Sequence, residues 1–433
     1  MTLPGLDAPE NHFSTSTLAL VIGAGLAGCA LARALVKAGF RCVLYDRHNA
    51  VASETSAVPC ALIRPHVTKA EQTSTRYFGE AFDRIHTELK NEVLASEGVV
   101  VKNSQANITA SLSGVLQLVS DSSQWPENSY YSRLTKAEAS QLTGTELAGD
   151  ALYFRQAGIL NMHSLCNYWI GQCNDVNQQS AEFIGQTAVH SLRRTADGWQ
   201  LIGSDNQVIN ESPLVIIANA QVAGQLAETT HLPLQKSRGQ ISHFTSAPNK
   251  TVVTPGHIIT GKCSVIPTSD GFWAGSTHQR YNDSRQLSTR DDQLNLQSAI
   301  ELCPLLDQAL VNSPDNTLAT EKNASHSWAG FRYSTPDRMP VVGAAPKVSW
   351  YRQNYAGLHH GRRRQKFPQP HFHEGLYLLT GLGSRGALHS VYAAEILSSI
   401  ISGTIQSSDD SDQTISRLLH PGRFIIRQLR RGS

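Results

Sequence analysis

Arginine set in an apolar stretch is the first chemistry this sequence offers. The run WAGFRYSTPDRMPVVG, residues 328–343, places Arg332 and Arg338 among aromatic and aliphatic side chains, with Asp337 between them. A guanidinium withdrawn from water is costly unless an anion meets it. Arg332 therefore needs either Asp337 or the anionic group of a ligand, and the sequence leaves both open. A planar guanidinium can hold a carboxylate through two parallel hydrogen bonds and so fix the atoms attached to it. The second candidate is Gly23, Gly25 and Gly28, spaced G-x-G-x-x-G. In that spacing the first glycine allows a tight turn, the second lets a pyrophosphate approach the backbone, and the third lets helix and strand pack closely. Leu26 and Ala27 then open a helix whose free N–H groups and positive dipole end favour phosphate. Asp46, with Arg47 beside it, ends the next apolar run, where a carboxylate accepts hydrogen bonds from a ribose and repels a ribose phosphate. The third candidate is GLGSRG, residues 381–386, in which Gly381, Gly383, Ser384, Arg385 and Gly386 form a second glycine loop ahead of a helix. A helix N-terminus there suits the pyrimidine edge of a flavin, which becomes anionic on reduction. A nucleotide fingerprint at one end of the chain and a ring clamp near the other fit FAD better than NAD.

These residues need elements to position them. LALVI, residues 18–22, suits a buried parallel strand, Gly39 a helix end, and RCVLY, residues 41–45, a second strand, giving a βαβ opening. Residues 71–92 and 163–177 read as helices. AVHSL, WQLI and PLVIIAN read as strands, the first two joined across the ADG turn at 196–198. Residues 236–345 look β-like, with QISHF, SVIP and GFWAGST as the clearest runs. The last core unit, residues 375–403, is strand, glycine loop and helix. Pro336 and Pro340 exclude a helix interior or a central strand around Arg332.

Composition narrows the class. A chain of 433 residues suggests two closely packed domains, and a formal charge of +2 announces no nucleic-acid binder through net charge alone. Seven cysteines without C-x-x-C spacing fit neither a disulfide framework nor a zinc site, and they suit a reducing cytoplasm. No apolar run approaches the roughly 18 residues that suggest a membrane span. Residues 1–16 lack the basic start and apolar core of a signal peptide and read as a flexible tail. The run HHGRRRQKF supplies Arg362, Arg363, Arg364 and Lys366, and the C-terminal stretch adds Arg417, Arg423, Arg427, Arg430 and Arg431. Such clusters give salt-sensitive affinity for phosphates, or are simply solvated loops. The histidines near that run fit no standard metal spacing.

Taken together, the fingerprint at 23–28, SAVPCALIRP at 56–65, LPLQKSRGQISH at 232–243, the 328–343 run and YLLTGLGSRG resemble the D-amino-acid-oxidase-like flavoproteins. Within that family they are most similar to the FAD-dependent oxidoreductase domain of the bifunctional enzymes of tRNA 5-methylaminomethyl-2-thiouridine biosynthesis. The resemblance implies an α/β architecture: a Rossmann-like FAD-binding domain with a second, antiparallel-β substrate domain. The expected division is a tail at 1–16, an FAD-binding domain from 17–90, 155–235 and 325–433, and a substrate domain from 91–154 and 236–324. The chain would be free-standing, without the relatives' methyltransferase domain. The implied reaction converts carboxymethylaminomethyl uridine at the tRNA wobble position to aminomethyl uridine and glyoxylate. A hydride leaves the carbon between amine and carboxylate for the flavin, and the resulting imine hydrolyses. Oxygen is the expected electron acceptor. Arg332 matches the position that holds the substrate carboxylate in related amine oxidases. Arg385 and Arg64 are further catalytic candidates, each with a structural role as its alternative. Ser56 and Ala61 join the cofactor set, although Ala57, Val58, Pro59 and Cys60 stand where many relatives carry a Gly-Asn pair. Gly330 and Phe331 carry no thiol where some relatives attach the flavin, so FAD is expected to be non-covalent. A small-molecule amine oxidase acting on glycine, sarcosine or D-amino acids, and an inactive flavin-bound tRNA-binding module, remain the competing readings.

Overall fold

The computed structural model describes residues 4–9, 12–70, 72–92, 101–102, 109–173, 180–220, 222–245, 254–307, 324–360, 366–404 and 410–432. Its organising layer is a six-stranded sheet. The strands run in the order Ala181–Ile184, Arg41–Tyr45, Leu18–Ile22, Leu214–Ile217, Phe372–Thr380 and Val341–Pro346. The first five are parallel and the last is antiparallel. Side chains alternate across a strand, and here both faces are covered. Ala19, Val21, Leu214, Ile216, Tyr377 and Leu379 face a helical layer. That layer packs helix Leu26–Lys37 on Gly386–Ser402, and Thr73–Glu92 on the latter. Leu20, Ile22, Val215, Ile217, Leu376 and Leu378 face Trp199 and Leu201 of a three-stranded meander formed by Ser191–Arg194, Trp199–Ile202 and Val208–Ser212. Strands buried on both faces read as continuous apolar runs, which is why these were legible.

The second large sheet has eight strands, in the order His326–Ser334, Gln235–Thr245, Gly271–Gly275, Ser264–Pro267, Ile258–Thr260, Val115–Val119, Asp150–Phe154 and Ser132–Leu134. One pairing, between Ile258–Thr260 and Val115–Val119, is parallel and the others are antiparallel. A four-stranded sheet joins Ala61–Ile63, Gly158–Leu160, Thr109–Ser111 and Val101–Lys102.

Three expectations need correction. His326–Ser334, assigned to the nucleotide-binding half, pairs with Gln235–Thr245 at the edge of the eight-stranded sheet. Its prolines lie just beyond it, so an edge strand that stops before Pro336 reconciles its apolar composition with Pro chemistry. The 236–345 stretch is not wholly β-like, because Thr289–Leu302 is a helix laid against the eight-stranded sheet through Leu296, Ala299 and Leu302. The N-terminal stretch is not a loose tail in its described part. Leu6 is buried beside Tyr351 and Tyr355, the Tyr351 hydroxyl donates to the Gly5 carbonyl at 2.9 Å, Arg417 pairs with Asp7 at 2.8 Å, and the Phe13 N–H donates to Ile401. A few anchored residues suffice, and so sparse a pattern leaves no periodic signal.

Candidate active site

A cavity with about 1970 Å³ of empty space, its open mouth included, runs along the carboxyl ends of the parallel strands. That is where open α/β sheets hold ligands. Its first end is built by the fingerprint. Gly23 has φ +106°, in the region that favours glycine, and a Cβ there would stand 2.9 Å from the Asn219 backbone. A Cβ on Gly28 would overlap the Gly23 carbonyl oxygen, so that glycine sits behind the turn and fixes the approach of helix to strand. Asp46 accepts the Ala24 N–H at 2.9 Å with one oxygen and the His48 N–H at 2.9 Å with the other, and still lines the cavity. The Ser56 hydroxyl accepts the Leu26 N–H at 3.0 Å, tying segment 55–57 to the helix start. Arg47 pairs with Glu54, which also meets Arg285.

Gly23, Gly25, Leu26, Ala27, Asp46, Arg47, Ser56, Ala61, Gly381, Gly383, Ser384 and Gly386 all line this one space. The glycine loop arrives from the far end of the chain, with Gly381 and Gly383 at φ +70° and +60°. A cleft with a side-chain-free turn at Gly23, the start of a helix and the carboxylate of Asp46 along its wall fits a dinucleotide, and its opposite end, walled by Ile266, Trp273 and Trp328, is broad and apolar enough for a flavin ring.

Arg332 stands at that broad end. Its Nη2 donates to the Ser276 hydroxyl at 2.6 Å, and its Nη1 lies 3.2 Å from His278 Nδ1. The guanidinium lies over Gly239 on the neighbouring strand, where a Cβ would come within 2.5 to 2.8 Å of three of its atoms. Burial holds the Arg332 pKa down at about 10, so it stays charged at neutral pH. Among the described residues it has no carboxylate partner. Asp337, the sequence's internal alternative, is taken by Arg423 at 2.9 Å and by Arg427, and these two arginines, working against burial, hold its carboxyl at about 2. Burial, then Arg332 and Arg338, keeps His278 below the usual histidine range and hence neutral.

Arg64 and Arg385 do not line the cavity; they stand beside it, each one or two residues from a lining position. Arg385 Nη2 lies 3.1 Å from His66 Nδ1, and Arg64 donates to the Pro65 carbonyl at 2.9 Å while its Nε is buried without a partner. Burial and the neighbouring Arg385 lower Arg64 to about 10. Burial, then Arg385, Arg64 and Arg338, lowers His66 to about 4. Arg338 is exposed, in the left-handed region at φ +60°, and charges this neighbourhood. Of the basic loop, Arg362, Arg363 and Arg364 lie outside the described residues, and Lys366 is exposed. Arg417 and Arg423, grouped with the basic tail by sequence, are occupied by Asp7 and Asp337. Sequence reasoning missed Gly239, Ser276, Asn219, Trp273 and Trp328. No spacing rule places them, because strand register brings them in. Among the described residues no group of three or more His, Cys, Asp or Glu could hold a metal ion, and no helix is long and apolar enough to cross a membrane.

Residues 19–400 match the family described as FAD dependent oxidoreductase. Among curated proteins, the chain is 26% identical over 431 residues to the tRNA 5-methylaminomethyl-2-thiouridine biosynthesis bifunctional protein MnmC of Stutzerimonas stutzeri, covering 96% of this chain and 60% of that protein. It is 28% identical to the protein of the same name from Leptospira borgpetersenii, covering 98% and 62%. The chain thus spans about 60% of the length of these relatives. Among solved structures, glycine oxidase from Geobacillus kaustophilus superposes with a TM-score of 0.66 at 18% identity, over 91% of this chain and 97% of that one. L-proline dehydrogenase from P. horikoshii does so at 0.65 and 13%, over 95% and 99%. The fold, the cleft and the family match converge, and the chain belongs to the FAD-dependent oxidoreductase family.

Proposed function

We propose that this chain oxidises the carboxymethylaminomethyl group of tRNA wobble uridine to aminomethyl uridine and glyoxylate. The observation that carries the reading is Arg332: a charged guanidinium lining the broad end of the cavity, held by a serine and a neutral histidine and by no acid among the described residues. Bound FAD supplies the two-electron acceptor. Arg332 holds the substrate carboxylate by paired hydrogen bonds and aims the adjacent carbon at the ring. Gly239 gives the guanidinium room to lie flat, and Ser276 and His278 fix its rotation. Trp273 and Trp328 exclude water from the reacting carbon. The C–H bond between amine and carboxylate breaks with its electron pair leaving as hydride. The amine then carries the C=N bond, and water cleaves it into the primary amine on the uridine and glyoxylate.

The names of the MnmC relatives support the tRNA substrate. Gly23, Gly25, Leu26, Ala27, Asp46, Arg47, Ser56, Ala61, Gly381, Gly383, Ser384 and Gly386 are the proposed FAD contacts, with Gly28 shaping the turn and Arg385 and Arg64 beside the ring end. FAD is held without a covalent bond: Cys60 lines the cavity, but burial raises its thiol to about 12 and keeps it protonated. Oxygen reoxidises the flavin, and the reaction takes place in the cytoplasm.

Anaerobic flavin bleaching tests the proposal. tRNA bearing carboxymethylaminomethyl uridine is expected to bleach the flavin and release glyoxylate, whereas glycine and sarcosine leave it yellow. Bleaching by the small amines alone would make this a metabolic amine oxidase, and bleaching by none of them would leave a flavin-bound module without this activity.

A further inference from the structure

The C-terminal helix Arg423–Arg431, RFIIRQLRR, carries four arginines and no acid. Its two sides have separate destinies. Phe424, Ile425 and Ile426 are 6%, 3% and 1% exposed, the first packed in the core beneath the six-stranded sheet and the other two with Leu6, Tyr351 and Tyr355, so these three present no apolar face to a membrane. Arg423 is buried on Asp337. Arg427, Arg430 and Arg431 are exposed on the opposite side. Arg427 also reaches Asp337, whose next residue is Arg338 at the cavity side, close enough to lower His66, His278 and Arg385. From Arg427 to Arg431 the helix rises roughly a further 6 Å, at about 1.5 Å per residue. At its far end a Cβ on Gly432 would stand 3.8 Å from the His359 Cβ, and His359 and His360 are exposed with ring centroids 3.8 Å apart. Arg430 and Arg431 have no acidic partner among the described residues. Favourable interaction with the helix dipole accounts for cations in a last turn, but not for the contact of Arg427 with Asp337, which joins this helix to the segment that carries Arg338.

We infer that Arg338, Arg427, Arg430 and Arg431 form a cationic track leading from the cavity mouth along the C-terminal helix, on which the phosphates of a nucleic-acid strand lie. This rests on the tRNA reading of the same cavity and adds where the strand runs. Spaced guanidiniums on a rigid helix bind successive phosphates without reading sequence, and they release counterions as they do so.

The test compares two holoenzyme variants of equal charge change, Arg430→Glu/Arg431→Glu on the track and Arg133→Glu/Lys136→Glu, exposed on edge strand Ser132–Leu134 and at the start of the helix Lys136–Thr143 that follows it. Binding of a labelled unmodified tRNA transcript is read by fluorescence anisotropy across a salt series. The track pair is expected to weaken binding by roughly tenfold or more and to lower the salt slope by about two, with the flavin spectrum and melting temperature unchanged. The edge pair is expected to bind like the parent. Equal losses in both pairs, or none in the track pair, would overturn the track. Binding of phosphatidylglycerol vesicles in place of the transcript would overturn it as well. Bleaching of the parent enzyme by modified tRNA is scored separately, so the track can fail while the reaction stands, and the reaction can fail while the track stands.

Discussion

Arg332 gathers its meaning from its neighbours. Ser276 and His278 orient the guanidinium without neutralising it, and Gly239 leaves the face of strand Gln235–Thr245 bare beneath it. Leaving a buried carboxylate unpaired typically costs about 2–5 kcal/mol. Arg332→Ala is therefore expected to lower kcat/KM by roughly 10²- to 10³-fold while FAD content is unchanged, and Arg332→Lys to recover little, because a point charge cannot replace a planar fork. Gly239→Ala is the sharper variant. The atoms nearest its methyl would be those of the Arg332 guanidinium, the far end of a long side chain, so melting temperature is expected to change little while KM rises, as read by anaerobic bleaching against substrate concentration. The sequence announced Arg332 through its apolar surroundings. It did not reveal Gly239, because the register that pairs Ser237 with Arg332 is a property of the folded sheet. Nor did it reveal that Asp337 belongs to Arg423, far along the chain.

Elements carry the cofactor side. The turn at Gly23 and the crossing of helix Leu26–Lys37 over its strand tolerate no side chain at Gly28. Gly28→Val is expected to yield protein lacking the 450 nm absorbance of bound flavin, measured as the ratio of flavin to protein absorbance after purification. This βαβ unit was fully legible, since glycines, an apolar strand and a terminal carboxylate form a local pattern. Helix Thr289–Leu302 was not, although Ser288 followed by Asp291 is an N-terminal capping signature and the Ser288 hydroxyl does accept the Asp291 N–H at 3.4 Å. The surrounding β-rich composition outweighed it. Asp291, at 0% exposure, also bolts the helix to the sheet through Arg238, at 1%. Breaking such a pair leaves a buried charge, so Asp291→Ala is expected to cost about 3–5 kcal/mol, seen as a lowered urea midpoint.

At the scale of the molecule, stability is set against acid by buried histidines. Burial above all lowers His389 and His420 to about 3, and His66 to about 4. An unfolded histidine titrates near about 6.5. Between those values the unfolded chain binds protons that the folded chain refuses, so stability is full above about pH 6.5 and falls as pH drops toward 3–4. Melting temperature is expected to decline across that window, and His389→Phe, which keeps a ring beside Tyr77 and Phe78, to flatten the decline. Sequence gave no warning of this, because a histidine's burial depends on which helices close over it. The two-layer plan was visible, with strand–glycine–helix units at both ends of the chain. The placement of His326–Ser334 in the other sheet was not, since an edge strand's partner is chosen by long-range pairing.

The six-stranded sheet also sets a timetable. Strand Leu18–Ile22 finds its neighbour Leu214–Ile217 only midway through synthesis, and Phe372–Thr380, with the loop at Gly381 and Gly383, arrives near the end. At about 5–20 residues per second, roughly 20–70 seconds separate the first glycine turn from the last as they leave the ribosome. From the moment Leu214–Ile217 is made until Phe372–Thr380 follows, Val215 and Ile217 border an unpaired apolar edge, and the cleft lacks the loop at Gly381 and Gly383. The cleft is therefore complete only once Phe372–Thr380 and the loop behind it are in place, so a chain stopped before residue 372 is expected to purify without flavin absorbance.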